Sequence, residues 1–299
     1  MAKSGFNKLF KDGTGGLRAG GSNSTKAMES SERKTVGGGS VWDDSIPVGY
    51  WDMSDGTGIE LSDVSSAGND LNGTLKGASD DYPVWDSTNK IRGSYSLLFN
   101  DGSSQATWMA DNDVLDFNVD DSFSMSAWIK RENLLTANAS IAAKLSQYST
   151  SPDTNYEGYE LYLKGGKQPT FLLYQDGSNK LETHGGATTE INDTDWHHIL
   201  VTYSGNADLS GVQIYIDGAA ATMTETTDTL DTSDDIVTTT DFSIGARGKG
   251  RTTGAGTRNH FDGNIDEVAI WSKALSTDEI ADVYNDGDAN DLTDGIPKS

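Results

Sequence analysis

DTDWHHILVTYSGNADLSGVQIYIDG, residues Asp193 to Gly218, is the stretch that decides the fold of this chain. Ile199, Val201 and Tyr203 alternate after the Trp196-His197-His198 run, and Val212, Ile214 and Ile216 alternate again up to Asp217-Gly218. Apolar side chains at period two belong to a strand with one buried face, and an Asp-Gly pair suits a tight two-residue hairpin turn. The stretch therefore predicts a half-buried antiparallel strand pair.

The same pattern extends outward from Val41 to about Asn285, as short runs separated by turn residues. Strands are predicted at Val48–Met53, Tyr95–Asn100, Gln105–Met109, Phe123–Arg131, Ser140–Leu145, Gly158–Lys164, Thr170–Tyr174, His197–Ser204, Val212–Ile216, Phe242–Gly245 and Gly263–Trp271. In Gly158–Lys164, Tyr159, Leu161 and Leu163 share one face while Glu160 and Tyr162 take the other. One helix is predicted, Ser276 to Tyr284. Ser276 caps it with Glu279 three residues on, and Ile280 with Val283 or Tyr284 forms its apolar stripe. Two insertions interrupt the pattern: Thr222 to Asp241, rich in Thr and Asp, and the Gly-rich basic run Arg247 to Arg258.

Composition bounds the function. The 299 residues suffice for one large all-β domain with appendages, and they carry 22 basic and 46 acidic side chains, a net charge of −24. Such a surface disfavours nucleic-acid backbones. No cysteine is present, which excludes disulfides and thiolate metal sites. No run is long and apolar enough to span a bilayer as a helix.

Residues 1–40 form a separate segment, with nine glycines and seven basic against three acidic residues, whereas the remainder has 15 basic and 43 acidic. Two readings of it stand: a flexible tail, or an arm that orders on an acidic partner through Phe6, Leu9, Phe10, Leu17 and Arg18. Residues 41–285 form the sandwich, and residues 286–299 read as an acidic tail. Asp288, Asn290 and Asp294 in that tail echo a calcium loop, but Asp291 stands where an EF-hand needs glycine.

The words of the sandwich follow an order. VGYWDMSDGTGIELSDVSSAGNDLNGTL is followed by GSYSLLFNDGSSQATW, FSMSAWIKRE, GYELYLKGG, the Trp196-His197-His198 strand, Ile216-Asp217-Gly218 and FDGNIDEVAIWSKALSTDEIADVY. Together they resemble the laminin-G-like domains of the concanavalin A-like lectin/glucanase superfamily, over roughly residues 47–285. The resemblance implies an all-β jelly-roll sandwich with one short C-terminal helix, here behind an extended N-terminal arm.

It also implies candidate sites. Relatives hold a structural Ca²⁺ between the opening loop and the closing strand, where Asp63, Ser65, Asn69 and Asp266 match. The alternative is that Asp63 and Asn69 make side-chain turns in a tight loop. Pentraxin-like relatives bind ligand through an acidic loop before the closing strand. RGKGRTTGAGTR takes that place here, so Arg247, Lys249, Arg251 and Arg258 are read as a basic loop. It would serve anionic sugars or sulfate, or a neighbouring subunit, or lie solvated. Tyr82, Trp85 and Trp108 lie in or beside loops and are candidate sugar-stacking rings, whereas Trp51, Trp128, Trp196 and Trp271 are assigned to the core.

Laminarinase-type members carry two glutamates flanking an aspartate on one strand, and no E-x-D-x-E word occurs here. Asp266-Glu267 is expected to point to opposite faces of its strand. His197 and His198 are read as strand residues, and the chain as a non-enzyme.

The first residues, MAKSGFNKLFKDGTGG, lack an apolar segment of signal-peptide length, whereas lectin-like domains usually work outside cells. A virion assembled in the host cytoplasm removes this conflict. The expected function is thus a virion surface protein, such as a capsid decoration or fibre, whose arm holds the viral capsid or another virion protein. Its sandwich would bind host-surface glycans, with a homo-oligomer expected and neither nucleic acid nor membrane insertion. The alternative is a bacterial extracellular carbohydrate-binding protein or an accessory module of a polysaccharide hydrolase.

Overall fold

The computed structural model describes residues 45–134, 136–150, 153–175, 179–232, 235–248 and 259–298, with the backbone alone at 147–150 and 153–155. Phe6, Leu9, Phe10, Leu17 and Arg18 of the expected arm lie outside these residues, as do Lys249, Arg251 and Arg258 of the basic run.

Two antiparallel sheets face each other. The first runs, in spatial order, β14 (Ala219–Ala220), β13 (Val212–Ile216), β12 (Trp196–Tyr203), β7 (Phe123–Arg131), β17 (Gly263–Trp271), β5 (Ser96–Phe99) and β4 (Val84–Asp86), and β1 (Gly49–Trp51) also pairs with β17. The second runs β15 (Met223–Asp228), β11 (Lys180–Gly185), β10 (Gln168–Tyr174), β9 (Asp153–Lys164), β8 (Ala139–Thr150), β16 (Phe242–Ile244), β6 (Ala106–Met109), β3 (Gly73–Lys76) and β2 (Glu60–Leu61). This is the two-sheet sandwich expected of period-two sequences.

Alternation places the core between the sheets. Ile199, Val201 and Tyr203 of β12 meet Tyr159, Leu161 and Leu163 of β9 in one buried cluster, with Phe123, Phe171 and Phe242. Rings fill its middle: Phe117 stacks on Phe123 at 4.5 Å, and Trp51 on Phe242 at 5.4 Å. The polar tips are satisfied, since the Tyr159 hydroxyl donates to the Leu115 carbonyl at 3.0 Å and the Tyr203 hydroxyl donates to that of Val119. Lys144 is almost wholly enclosed as well, and donates to Asp111 at 2.7 Å, to Asp116 and to the Thr238 carbonyl at 2.6 Å. A buried ammonium needs such partners.

The outer face of the first sheet is also covered. Helix α1 (Thr277–Tyr284) starts at a capping box, Ser276 with Glu279, as its sequence predicts. Ile280 and Val283 lie against Tyr50, Leu200 and Trp271. The acidic tail after the helix is folded against the same face. Leu292 and Ile296 are buried in the same cluster, Ser66 donates its N–H to the Thr293 carbonyl, and Asp291 pairs with Arg92 at 2.5 Å. Two apolar residues in an acidic context are enough to fold it down. No helix among the described residues is long and apolar enough to cross a membrane.

Strands that the sequence hides are the polar and peripheral ones. Edge strand β15 opens the segment read as an insertion, and its side chains are exposed or half-exposed, so no alternation marks it. In β11, the inward Thr183 breaks the apolar pattern.

The Asp217-Gly218 hairpin forms as read, with φ of 51° and 74° at its two residues, the left-handed pair that the turn requires. Asp217 also stitches the hairpin to β12: one oxygen accepts the His198 N–H at 2.9 Å and the other contacts His197 Nδ1 at 2.8 Å. His197 Nε2 lies 2.9 Å from Asp193. The bond to Asp217, helped by Asp193 and opposed by burial, raises the His197 pKa to about 9. Its neighbour His198 is buried on the outer face of the first sheet, beside the mutually stacked Trp128 and Tyr284 rings, and burial lowers its pKa to about 4. Because the folded His197 pKa lies above the unfolded value near 6.5, its contribution is complete below that pH and is lost as pH rises through about 9. Urea unfolding at pH 6 and pH 9.5 is expected to show His197→Gln losing roughly 1–2 kcal/mol at the lower pH and little at the higher. An equal loss at both would mean that the imidazolium adds nothing.

Candidate functional site: the outer face of the second sheet

Directly paired residues in a sheet share a face. One rung crosses eight strands of the second sheet: Thr74, Trp108, Ser243, Ala143, Glu160, Leu172, Glu182 and Thr227. Since Leu161 and Leu173 point into the core, this rung lies on the face turned away from it. Glu160 and Glu182 therefore stand on one surface, two strands apart, both opposite Leu172.

Neither carboxylate is open to solvent. Glu160 has no exposed surface and Glu182 is 6 % exposed. An ionised carboxylate so enclosed requires a cation, and Glu160 has one while Glu182 has two. Arg247 donates from Nε at 2.9 Å and from Nη2 to the same Glu160 oxygen. Glu182 accepts from Lys164 at 2.7 Å and the Tyr162 hydroxyl at 3.2 Å on one oxygen, and from Lys180 at 2.6 Å on the other. Burial alone would raise the Glu182 pKa. The two lysines outweigh it and hold that pKa at about 2.

Rings complete the face. The Arg247 guanidinium lies 5.8 Å from the Tyr156 ring and Lys180 Nζ 5.8 Å from that of Tyr174, both within cation–π range. The two tyrosines meet at 5.1 Å. The result is an anchored layer, Arg247–Tyr156–Tyr174–Lys180, above a floor of Glu160, Tyr162, Leu172 and Glu182. Alternation alone puts Glu160 and Tyr162 on one face, whereas Glu182 comes from β11, a strand that no apolar alternation marks.

The other candidate residues disperse. Trp108 shares the rung described above, and Arg247 is taken up by Glu160 instead of lying free in a basic loop. Tyr82 and Trp85 pack part-buried against the edge of the core, with the Trp85 indole donating to the Gly58 carbonyl at 3.1 Å and the Tyr82 hydroxyl to Asp80 at 2.8 Å.

The expected calcium ligands are occupied otherwise. The Asp63 carboxylate accepts three backbone N–H groups, from Tyr50 at 3.1 Å, Ser65 at 3.0 Å and Leu71 at 3.1 Å. Ser65 Oγ donates to the Pro47 carbonyl, and Asn69 Nδ2 to that of Val48 at 2.8 Å. Asp266 belongs to another network, where it accepts the Ile91 N–H at 2.9 Å. Among the described residues no three His, Asp or Glu side chains converge as a metal site. Three of the roughly four acceptor positions of the Asp63 carboxylate are thus taken by backbone N–H donors, and Asp266 stands in a separate network, which leaves little of this set for calcium.

Asp266 and Glu267 correct one expectation of geometry. Strand β17 bulges between Asp266 and Ala269, and Glu267 takes φ of 52°. The bulge cancels the alternation, so both carboxylates are buried beside residues 91 and 92 instead of on opposite faces. Glu267 accepts from the Tyr50 hydroxyl and from Arg92. Burial first, and then the charge of Glu267, raises the Asp266 pKa to about 8.

The laminin G model described as concanavalin A-like lectin/glucanases superfamily (Laminin_G_3) matches residues 100–281, and the chain belongs to that family. No curated protein matches the sequence. Similar solved structures include the binding domain of Paraclostridial Mosquitocidal Protein 1, at 16 % identity and TM-score 0.53 over 80 % of this chain and 52 % of that one. The Botulinum Neurotoxin serotype G binding domain matches at 15 % and 0.53, over 80 % of this chain and 50 % of its own. The binding domain of Botulinum Neurotoxin DC, solved in complex with SialylT, matches at 12 % and 0.53, over 81 % and 51 %. The chain spans about half the length of these structures, and the likeness is one of fold.

The Asp63 network carries a test. Asp63→Ala is expected to lower the melting temperature equally in calcium and in EDTA, by several degrees, because it removes three backbone bonds. A loss confined to calcium buffer would show that an ion holds the loop.

Proposed function

We propose that the chain is a non-enzymatic glycan-binding module whose ligand lies on the outer face of the second sheet. The observation that carries this reading is the contact of Tyr156 with Tyr174 among fixed polar groups on one sheet face, the face that also carries Trp108 farther along the rung. Sugars are recognised in this way: apolar ring faces lie on aromatic rings while hydroxyls meet oriented donors and acceptors. Membership of a lectin/glucanase superfamily, and the likeness in fold to toxin binding domains, support the same reading.

Hydrolysis is disfavoured by the carboxylates themselves. A glycosidase needs one carboxylic acid that still holds its proton. Glu182 is ionised far below neutrality and Glu160 is clamped by Arg247. Asp266 and Glu267 are raised instead, but they are sealed from solvent.

The setting we propose is the surface of a virion, with host-surface glycans as ligands and residues 1–40 as the attachment arm. Its support is compositional: seven basic against three acidic residues in the arm, beside a remainder with 15 basic and 43 acidic. That contrast suits an arm held by an acidic capsid protein or by a second copy of the sandwich. An extracellular, non-viral setting requires the same binding face.

A glycan-array screen of the full-length protein, run in calcium and in EDTA, tests the reading. Binding in both buffers, reduced at least tenfold by Tyr174→Ala, is the expected outcome. Binding that Tyr174→Ala and Trp108→Ala both leave untouched would move the site elsewhere. A blank array would remove the glycan reading.

A further inference from the structure

The cations of this face are few and deliberately held. Outside the first forty residues the chain has 15 basic against 43 acidic side chains, yet Lys164, Lys180 and Arg247 meet on one sheet surface. Their two glutamate partners leave the group with one excess positive charge, an island on an acidic body. At physiological salt, charges beyond about 8 Å are screened, so a bound ligand experiences mainly this local sign.

The island also has donors to spare. A guanidinium carries five N–H groups and an ammonium three. Glu160 engages two groups of Arg247, and Glu182 engages each lysine once. The three side chains remain 17 %, 34 % and 28 % exposed for Arg247, Lys164 and Lys180. Glu160 Oε1 has no hydrogen-bond partner among the described residues, but it is sealed beneath Arg247 and offers a ligand nothing. A salt bridge made only to neutralise a buried carboxylate needs one cation per acid. Glu182 has two, and both cations bordering the Tyr156–Tyr174 pair are anchored from below.

We propose that the ligand of this face is an acidic glycan, whose carboxylate or sulfate groups take the remaining donors of Arg247, Lys164 and Lys180 while its sugar rings lie on Tyr156 and Tyr174. This rests on the glycan-binding reading above and narrows it to a ligand class. Glu160 and Glu182 are positioning residues: they fix the cations beside the rings, so that little side-chain freedom is lost on binding.

Calorimetric titration of the full-length protein with three hexasaccharides tests the proposal: galacturonate, its neutral counterpart galactose, and a heparin-derived sulfated hexamer. At least one acidic hexamer is expected to bind at least about tenfold more tightly than the galactose hexamer. The tighter of the two acidic hexamers identifies carboxylate or sulfate as the group read. Lys164→Gln combined with Lys180→Gln is expected to abolish that margin, with melting temperature confirming the fold. Equal affinity for all three hexamers would overturn the acidic class and leave a glycan-binding face standing. A preference for acidic sugars that survives the double variant would overturn the assignment to these cations. No binding of any hexamer, together with a blank glycan array, would remove the glycan-binding reading beneath it.

Discussion

A carboxyl group without exposed surface must either keep its proton or be met by a cation, and at Glu160 a cation meets it and shapes a whole sheet face. Strand alternation turns Glu160 away from the core, opposite Leu172 and in line with Glu182. Because it is nevertheless enclosed, Arg247 is drawn onto it from the segment after β16, and the guanidinium comes to rest against Tyr156. Glu182 does the same for Lys164 and Lys180. The arrangement of the candidate site follows from two buried acids on one rung.

The two sheets divide the work. On the first, helix α1 and the segment through Ile296 cover the outer face, with Trp271, Leu200 and Tyr50 beneath them. There the bulge at Glu267 and the Arg92 pairs with Glu267 and Asp291 tie the closing strand to the C-terminal segment. On the second sheet the cover is made of charged and aromatic side chains that keep part of their surface. A sealed apolar face serves stability, whereas a part-exposed face of oriented donors and rings is suited to a ligand.

Much of this architecture was legible in the sequence. Phe123–Arg131, Val212–Ile216 and Gly263–Trp271 form strands with the bounds their alternation predicts, and Ser276 with Glu279 announced the helix. The hairpin at Asp217-Gly218 was readable because only a left-handed residue pair fits so short a turn. The site was less legible. Glu160 and Glu182 lie 22 positions apart and meet through register, which no local word encodes. Arg247 reads as part of a basic loop until its buried partner is known. Asp266 and Glu267 follow the rule of alternate faces until a bulge breaks it, and Asp63 looks like a metal ligand because a carboxylate that collects backbone N–H groups uses the same residue types in the same kind of loop.

Ligand recognition is proposed for the outer face of the second sheet. A crystal structure of the full-length protein soaked with the tightest-binding oligosaccharide tests it most directly. The account expects sugar rings against Tyr156 and Tyr174, with an oxygen within hydrogen-bond distance of Lys180, Lys164 or Arg247. Sugar seated instead beside Tyr82 and Trp85, or on the loop held by Asp63, with the tyrosine face unchanged, would contradict it.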